Sequence, residues 1–211
     1  MPAEISDSSG TRDRRFEVIC GVTIAVFAAI FAITDIGARH FSDDELIANN
    51  EKATAYQWYQ AKTVRETIVE SQGDTIRLLI EAGVVPPEKL AAVEDLSAHA
   101  TVEAARYARE KNEILLGSKA VGEQNWAQDF NGEMGQIVGA DEWDTRAREL
   151  GDAGGKFDLA TLLLQLSVVL GPISLVSSAR IVRRSFFRAT VFVGLLGVIG
   201  SIHAFSVAFS I

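Results

Sequence analysis

The chain has 211 residues, of which 48% are hydrophobic, and its 28 acidic and 20 basic residues give a net charge of −8. This apolar content excludes a disordered tail, and the acidic balance argues against a nucleic-acid-binding protein, which would carry a basic stripe. A single cysteine, Cys20, excludes an intrachain disulfide.

Three long apolar segments predict an all-α integral membrane protein with three transmembrane helices. They cover residues 16–34, 159–179 and 189–211; only the first contains a charge, Glu17. Each is long enough to cross a hydrocarbon core of about 30 Å as a helix. Buried helices of a soluble protein are the other interpretation, which such lengths disfavour.

The first span follows a tail of residues 1–15 and has two interpretations. Its basic flank and apolar run are typical of a cleaved signal peptide, but the run exceeds the usual apolar length of about 7–15 residues. No Ala-x-Ala pattern follows it. We therefore expect an uncleaved signal anchor, with Cys20 acting as a small hydrophobic residue.

Arginine placement predicts the orientation in the membrane. Basic residues flank span one and fill the turn 180–188 between spans two and three: Arg12, Arg14, Arg15, Arg180, Arg183, Arg184 and Arg188. The positive-inside rule places both flanks in the cytoplasm. Residues 35–158 and the C-terminus would then be periplasmic, in a protein of the bacterial inner membrane.

Residues 35–158 are predicted to form an extracytoplasmic helical hairpin. They carry 24 acidic and 13 basic residues, a net charge of −11. The first helix, 43–82, is expected to be capped by Ser42 and ended by Gly83. Apolar or amide residues spaced by three or four predict its packing stripe: Leu46, Ala53, Tyr56 or Gln57, Gln60, Val64, Ile68, Ile76 and Leu79.

The second helix of the hairpin is predicted to begin at Pro87, since proline is tolerated in a first turn. Its predicted stripe is Leu90, Val93, Leu96, Ala100, Ala104, Tyr107 and Ile114. Five glycines between 117 and 139 predict a loop or broken helix. A helix is expected over 141–150, followed by a glycine hinge at residues 151–155 before span two.

A polar seam interrupts the first hairpin helix, formed by Asn49, Asn50, Gln57, Trp58, Gln60 and Lys62. Any one of these residues fits an ordinary, partly solvated stripe. The whole seam favours helix–helix association, as in a coiled coil, where polar positions select register and oligomeric state. It predicts a homo-oligomer or a larger membrane complex.

Small and polar residues within the spans predict helix packing in the bilayer, because small residues let helix backbones approach closely. The predicted packing residues are Gly21, Ala25, Ala29, Gln165, Gly171, Gly197, Ser201 and His203. An ionisable group inside a membrane is a functional candidate, although a neutral, hydrogen-bonded His203 is the simpler interpretation.

No pattern typical of catalysis, cofactor binding or a nucleotide loop is present, so we predict no enzyme, no cofactor and no metal site. Asp95, His99 and Glu103 share a helix face and could contribute metal ligands, but a solvated charged face is the preferred interpretation. The acidic cluster 141–144 could bind calcium weakly through its oxygen ligands, and residues 129–133 resemble a calcium loop, but with the glycine at the wrong position.

Two sequence stretches suggest a family. Residues 49–62, which include the run Gln57-Trp58-Tyr59-Gln60-Ala61-Lys62, follow the first span, and residues 157–166, from Phe157-Asp158 to Gln165, open the second. With the arginine-rich turn before span three, this arrangement over residues 16–211 resembles bacterial membrane proteins of domain-of-unknown-function family 4337. The resemblance implies the three-span topology and no activity.

The sequence therefore predicts a non-enzymatic structural or interaction protein, anchored in the lipid bilayer, that self-associates or docks a partner through its hairpin. An accessory or regulatory subunit of a larger membrane complex is a second hypothesis. A small channel or transporter built from oligomerised spans, with Gln165 and His203 along its path, is a third.

Overall fold

The computed structural model describes the backbone of residues 7–209 and the side chains of residues 14–209. The elements in chain order are α1 (Asp7–Glu81), a 3-10 helix (Pro87–Lys89), α2 (Leu90–Leu116), α3 (Ser118–Val121), a second 3-10 helix (Glu123–Asn125), β1 (Asp129–Phe130), β2 (Glu133–Met134), α4 (Ala140–Val176) and α5 (Arg180–Ala208). Three of them, α1, α4 and α5, are long and apolar enough to cross a membrane, as the sequence predicts.

The described chain divides into two compact units. Unit 1 contains the residues up to Glu45 and those from Arg148 onward, and unit 2 is Leu46–Ala147. Unit 1 therefore holds the three apolar helical stretches, and unit 2 holds the predicted hairpin and the loop after it.

Unit 1 is a bundle of three helices whose buried positions recur every three or four residues in α4 and α5 and every four or seven residues in α1. In α1 these are Cys20, Phe27, Thr34 and Ala38; in α4, Phe157, Ala160, Leu164, Ser167, Gly171 and Ser174; in α5, Thr190, Gly194, Gly197, Ser201 and Ala204. The small members let neighbouring helices approach: a Cβ at Gly194 would overlap the ring of Phe27, and one at Gly197 would overlap Leu164.

Short polar side chains bridge the three helices inside this bundle. The Cys20 sulfur lies 3.0 Å from Ser174 Oγ, and Thr34 Oγ1 lies 2.8 Å from Ser201 Oγ. Ser167 Oγ donates to the backbone oxygen of Thr190 at 3.0 Å. Since each bond joins two helices at one axial level, the bonds favour one register of the bundle.

A continuous helix passes through the point where the sequence predicts a break, so the predicted N-cap at Ser42 is wrong. The segment around residues 35–44 contains no proline and a single glycine, Gly37. Arg39 donates to Asp35 at 2.9 Å one turn away, which supports the helix. Gly37 is needed for packing, because a Cβ there would overlap the Phe157 ring.

The predicted glycine hinge at residues 151–155 is also wrong, because α4 is helical from Ala140 to Val176. A Cβ at Gly151 would press on the carboxylate of Glu45, so this glycine permits a close helix contact. The break between the last two helices lies at residues 177–179, and the predicted basic turn forms the first two turns of α5.

The end of the first hairpin helix is confirmed. Gly83 has a positive φ of 66°, and its N–H donates to Ile80 O at 3.0 Å while Val84 N–H donates to Leu79 O at 3.2 Å. This pair of bonds is the Schellman arrangement that satisfies the last helical carbonyls. The broken structure predicted after residue 117 is confirmed too, and it also contains a small β1–β2 hairpin.

The Asn131-Gly132 pair forms the two-residue turn of that hairpin. Both residues have positive φ, 55° and 87°, and Gly132 N–H donates to Asp129 Oδ1 at 2.7 Å. An Asn-Gly pair is the commonest signal for such a turn. The run that resembled calcium ligands is therefore a hydrogen-bonded turn.

Candidate functional site: the outer face of the hairpin

The two helices of unit 2 pack through a seven-residue repeat. One row of non-exposed positions in α1 is spaced by four and three: Ala48, Lys52, Ala55, Tyr59, Lys62, Glu66, Val69, Gly73 and Ile76. Lys52 in this row pairs with Asp144 of α4 at 3.2 Å. A row with the same spacing runs along α2, beside other buried positions that include Glu110 and Glu113: Leu90, Val93, Ser97, Ala100, Ala104, Tyr107, Lys111 and Ile114. This spacing keeps one seam of each helix on its partner over the whole contact.

Two ion pairs of opposite sense lie at the centre of this contact. Lys62 Nζ donates to Glu110 Oε2 at 2.5 Å, and both side chains are about nine-tenths buried. Lys111 of α2 pairs in the reverse direction with Glu66 of α1. Each ammonium also lies 5.7 Å from a ring centroid, Lys62 over Tyr107 and Lys111 over Tyr59. The pairs fit only one antiparallel register.

This contact uses a different side of α1 from the stripe that the sequence predicts. Leu46, Val64 and Ile68 from that stripe are more than half exposed, whereas Ile76 is partly buried. The α2 stripe is confirmed except for Leu96, which is exposed; Ser97 takes its place. The prediction for α1 followed the apolar residues, but from residue 48 to residue 66 the packed side of α1 consists of alanine, tyrosine and paired charges, and only Val69 and Ile76 near its end are aliphatic.

The predicted polar seam is divided between the two sides of α1. Lys62 is buried in the hairpin contact, and Asn49 and Trp58 are partly buried. The side chains of Asn50, Gln57 and Gln60 are exposed and make no hydrogen bond within the described residues.

Twelve exposed positions of α1 between residues 46 and 71 carry no charge, and the exposed charged residues Glu51, Arg65 and Glu70 lie at their sides. We call these twelve positions the neutral outer face. It contains the three positions of each seven-residue repeat that point away from α2, and all twelve are exposed: Leu46, Ile47, Asn50, Ala53, Thr54, Gln57, Gln60, Ala61, Val64, Thr67, Ile68 and Ser71. Six of the twelve residues are apolar, although the segment as a whole is acidic. Exposed apolar patches are typical of interaction sites.

The outer side of α2 has the composition expected of a solvated helix. Asp95 lies 3.4 Å from His99, and Glu103 pairs with Arg106. Burial lowers the pKa of Arg106, but the carboxylates of Glu103 and Glu110 outweigh it and hold that pKa above its ordinary value. The neutrality of the α1 face is therefore not a general property of the hairpin.

Unit 2 also contains an open groove of about 590 Å³ between its two helices, lined by residues that include Gln72, Ile76, Leu96 and His99. Across residues 14–209, no cluster of three or more histidine, cysteine or acidic side chains is arranged to hold a metal ion. Asp95 and His99 thus form an exposed contact within α2.

A buried carboxylate that the sequence analysis missed holds the loop after α2. Glu113 is fully buried, and it accepts hydrogen bonds from Ser118 Oγ at 2.7 Å and from the N–H groups of Ala127 and Gln128 at 2.8 Å. Ser118 Oγ in turn accepts from Ile137 N–H at 2.9 Å. One carboxylate thus fixes both arms of the loop, in which the small hairpin lies.

The predicted packing residues of the spans fall into two groups in unit 1. Gly171, Gly197 and Ser201 lie in the core of the bundle, and a Cβ at Gly171 would overlap Ile24. The others are exposed: Gly21, Ala25, Ala29, Gln165 and His203. A Cβ at Gly21 would meet nothing within 4 Å. The core of a single bundle therefore contains neither Gln165 nor His203.

The two basic flanks meet at one end of unit 1. The Arg183 guanidinium lies 4.3 Å from the centroid of the Phe16 ring, and Phe16 packs edge-on against Phe187 at 5.2 Å. Arg14 is exposed beside them on α1. The other predicted topology residues of these flanks are exposed as well: Arg15, Arg180, Arg184 and Arg188. The side chain of Arg12 lies outside the described residues.

Comparison with known proteins gives one match. A sequence profile of the family described as "Domain of unknown function (DUF4337)" matches residues 16–207, which is nearly the whole chain. No curated protein and no solved structure matches. The resemblance inferred from the sequence is thus confirmed, and the activity has to be argued from the molecule itself.

Proposed function

Since the chain belongs to the DUF4337 family, whose activity is unknown, we propose its function from its geometry: a non-enzymatic interaction protein of the bacterial inner membrane. The bundle of unit 1 anchors it in the bilayer. The hairpin of unit 2 docks another protein through the neutral outer face. The observation that carries this proposal is that face, twelve exposed residues without a charge on an acidic segment.

The proposed topology places the N-terminus in the cytoplasm and residues 35–158 and the C-terminus in the periplasm. Its support is the contact of Arg183 with Phe16, which brings the two arginine-rich flanks to the same end of the bundle, where the positive-inside rule predicts the cytoplasm. A reporter fused after Ile211 should read as non-cytoplasmic. A cytoplasmic signal there would contradict this orientation.

The first span acts in this proposal as an uncleaved anchor. Its support is that Cys20, Phe27 and Thr34 fill the core of the bundle, and Thr34 is hydrogen-bonded to Ser201 of α5. Removal of this helix by a signal peptidase would expose that core to lipid. The mass of the protein purified from membranes should therefore include residues 16–34.

Docking through the neutral outer face is tested by site-specific photocrosslinking in intact cells. A benzoylphenylalanine residue that replaces Gln57, on that face, should form a covalent adduct with another protein. Mass spectrometry then identifies that protein. The same residue at Asp95, an exposed position on the outer side of α2, is the matched control. Equal labelling at both positions, or no adduct at Gln57, would contradict the proposal.

A further inference from the structure

We infer that the protein that docks on the neutral outer face is a second copy of this chain. This inference rests on the proposed function and adds the identity of the partner.

The charge of unit 2 restricts how two copies approach. Leu46–Ala147 contains 17 acidic and 10 basic residues, so two such units repel each other on average. Across the neutral outer face no pair of like charges is brought into direct contact, and the charged residues lie to the sides. An anionic lipid surface would need lysine or arginine on this face, and the face has none.

Three primary amides make the face complementary to itself. The side-chain amide of each of Asn50, Gln57 and Gln60 carries both a donor and an acceptor, and in the described part of the chain none of these amides is hydrogen-bonded, although the backbone oxygen of Asn50 accepts from Thr54. An apolar partner would leave these groups unsatisfied. A copy related by a two-fold axis presents the same amides in return, so each donor meets an acceptor.

The apolar residues of the face supply the contact area around these amides. Leu46, Ile47, Val64 and Ile68 are each more than half exposed. The face extends over about 40 Å at about 1.5 Å per helical residue, which suits a helix-to-helix contact. Anchoring both copies in one membrane raises their effective concentration.

Cysteine crosslinking of the full chain in native membranes tests this inference. The background variant is Cys20→Ser, which places a hydroxyl beside Ser174 in place of the thiol and removes the only cysteine. Val64→Cys and Val102→Cys are the matched pair: both replace an exposed valine on the outer side of a hairpin helix, 58% and 66% exposed. With copper phenanthroline as oxidant, Val64→Cys should give a disulfide-linked dimer at least ten times more abundant than Val102→Cys.

A second pair of variants tests the contact without crosslinking. Val64→Lys places like charges at the centre of the contact and should convert the dimer, seen by native mass spectrometry in detergent, to monomer. Val102→Lys should leave it dimeric. Equal crosslinking at residues 64 and 102, or a wild-type protein that is monomeric with no crosslink at residue 64, would overturn the inference.

The photocrosslinking experiment separates this failure from failure of the proposed function. If Gln57 crosslinks to a different protein while residue 64 gives no dimer, docking stands and the second copy is refuted. If neither experiment gives a crosslinked product on this face, both the docking function and the second copy as partner are refuted.

Discussion

The buried ion pair at the centre of the hairpin allows a quantitative test of what holds unit 2 together. The substitution Lys62→Met removes the ammonium and keeps most of the side-chain volume. It leaves the Glu110 carboxylate, about 7% exposed, without its nearest cation. Unfolding restores water to that carboxylate, so the cost appears in the free energy of unfolding.

The expected cost follows from the surroundings of Glu110. Removing one partner of a buried ion pair costs about 3–5 kcal/mol, because the remaining charge is uncompensated. Arg106 Nε lies 3.7 Å from Glu110 Oε1 and is half exposed, so it replaces part of the lost attraction. We therefore expect Lys62→Met to lower the free energy of unfolding by about 3 kcal/mol, the lower end of that range.

Tryptophan fluorescence measures this change selectively. All three tryptophans, Trp58, Trp126 and Trp143, lie in unit 2. Urea unfolding of the full chain in detergent, followed by their emission, therefore reports on the hairpin and its loop. With a slope of about 2 kcal/mol per molar urea, the midpoint should fall by about 1.5 M.

Two controls make the reasoning refutable. Arg77→Met breaks the exposed pair with Asp74 and should change stability by less than about 0.5 kcal/mol. The double variant Lys62→Met with Glu110→Met should recover to within about 1 kcal/mol of wild type, since well-packed apolar residues can replace a buried pair. If Lys62→Met costs no more than Arg77→Met, the pair does not stabilise the hairpin.

Two further predictions use glycine and carboxylate positions with matched controls. Gly171→Leu should destabilise unit 1 by about 1–3 kcal/mol, because the leucine side chain would overlap Ile24. Gly21→Leu is the control and should change stability little, since its side chain would enter open space. The assay is the temperature at which the buried Cys20 reacts with a fluorogenic maleimide, and equal shifts of that temperature in both variants would contradict the packing. Glu113→Gln should lower the free energy of unfolding by about 1–3 kcal/mol, since it replaces a carboxylate that accepts three hydrogen bonds. It should also speed hydrogen exchange of the backbone amides over residues 117–139. The exposed Glu123→Gln is the control and should change neither quantity.

The sequence predicts the apolar helices well because their signal depends only on length and composition. A run such as 189–211 has no charge, and no soluble alternative buries it as readily. The helix end at Gly83 is equally predictable, because the positive φ of a terminal residue favours glycine. These features are local, so tertiary contacts do not overturn them.

The helix starts and hinges fail as predictions because the relevant contacts are distant in sequence. Ser42 has the side chain of an N-cap, yet it lies inside a helix that contacts elsewhere in unit 1 hold together. The sequence around Gly151 suggests a hinge, but this glycine makes room for the Glu45 carboxylate, which lies beside it. A glycine chosen for close helix contact and one chosen for flexibility look the same in a sequence.

In the candidate site, too, the sequence does not show which residues contact one another. Residues such as Leu46, Val64 and Ile68 were identified as a stripe, but hydrophobic periodicity does not say which partner covers it. The Glu113 hydrogen bonds had no local signal, because two of its donors are backbone N–H groups more than twelve residues away. The Asn131-Gly132 turn did have one, the dipeptide itself.

At the centre of the hairpin, α1 buries charged side chains and exposes aliphatic ones, and this local departure from ordinary amphipathic packing supports an interaction role. It directs Lys62 and Glu66 toward α2 and exposes Val64 and Ile68. A hairpin that had only to fold alone would gain more by burying the aliphatic residues, since each is worth about 1.5–3 kcal/mol when fully buried, whereas an ion pair taken from water gains little. The charges specify the register within the chain, and the aliphatic residues remain available to stabilise a contact between chains.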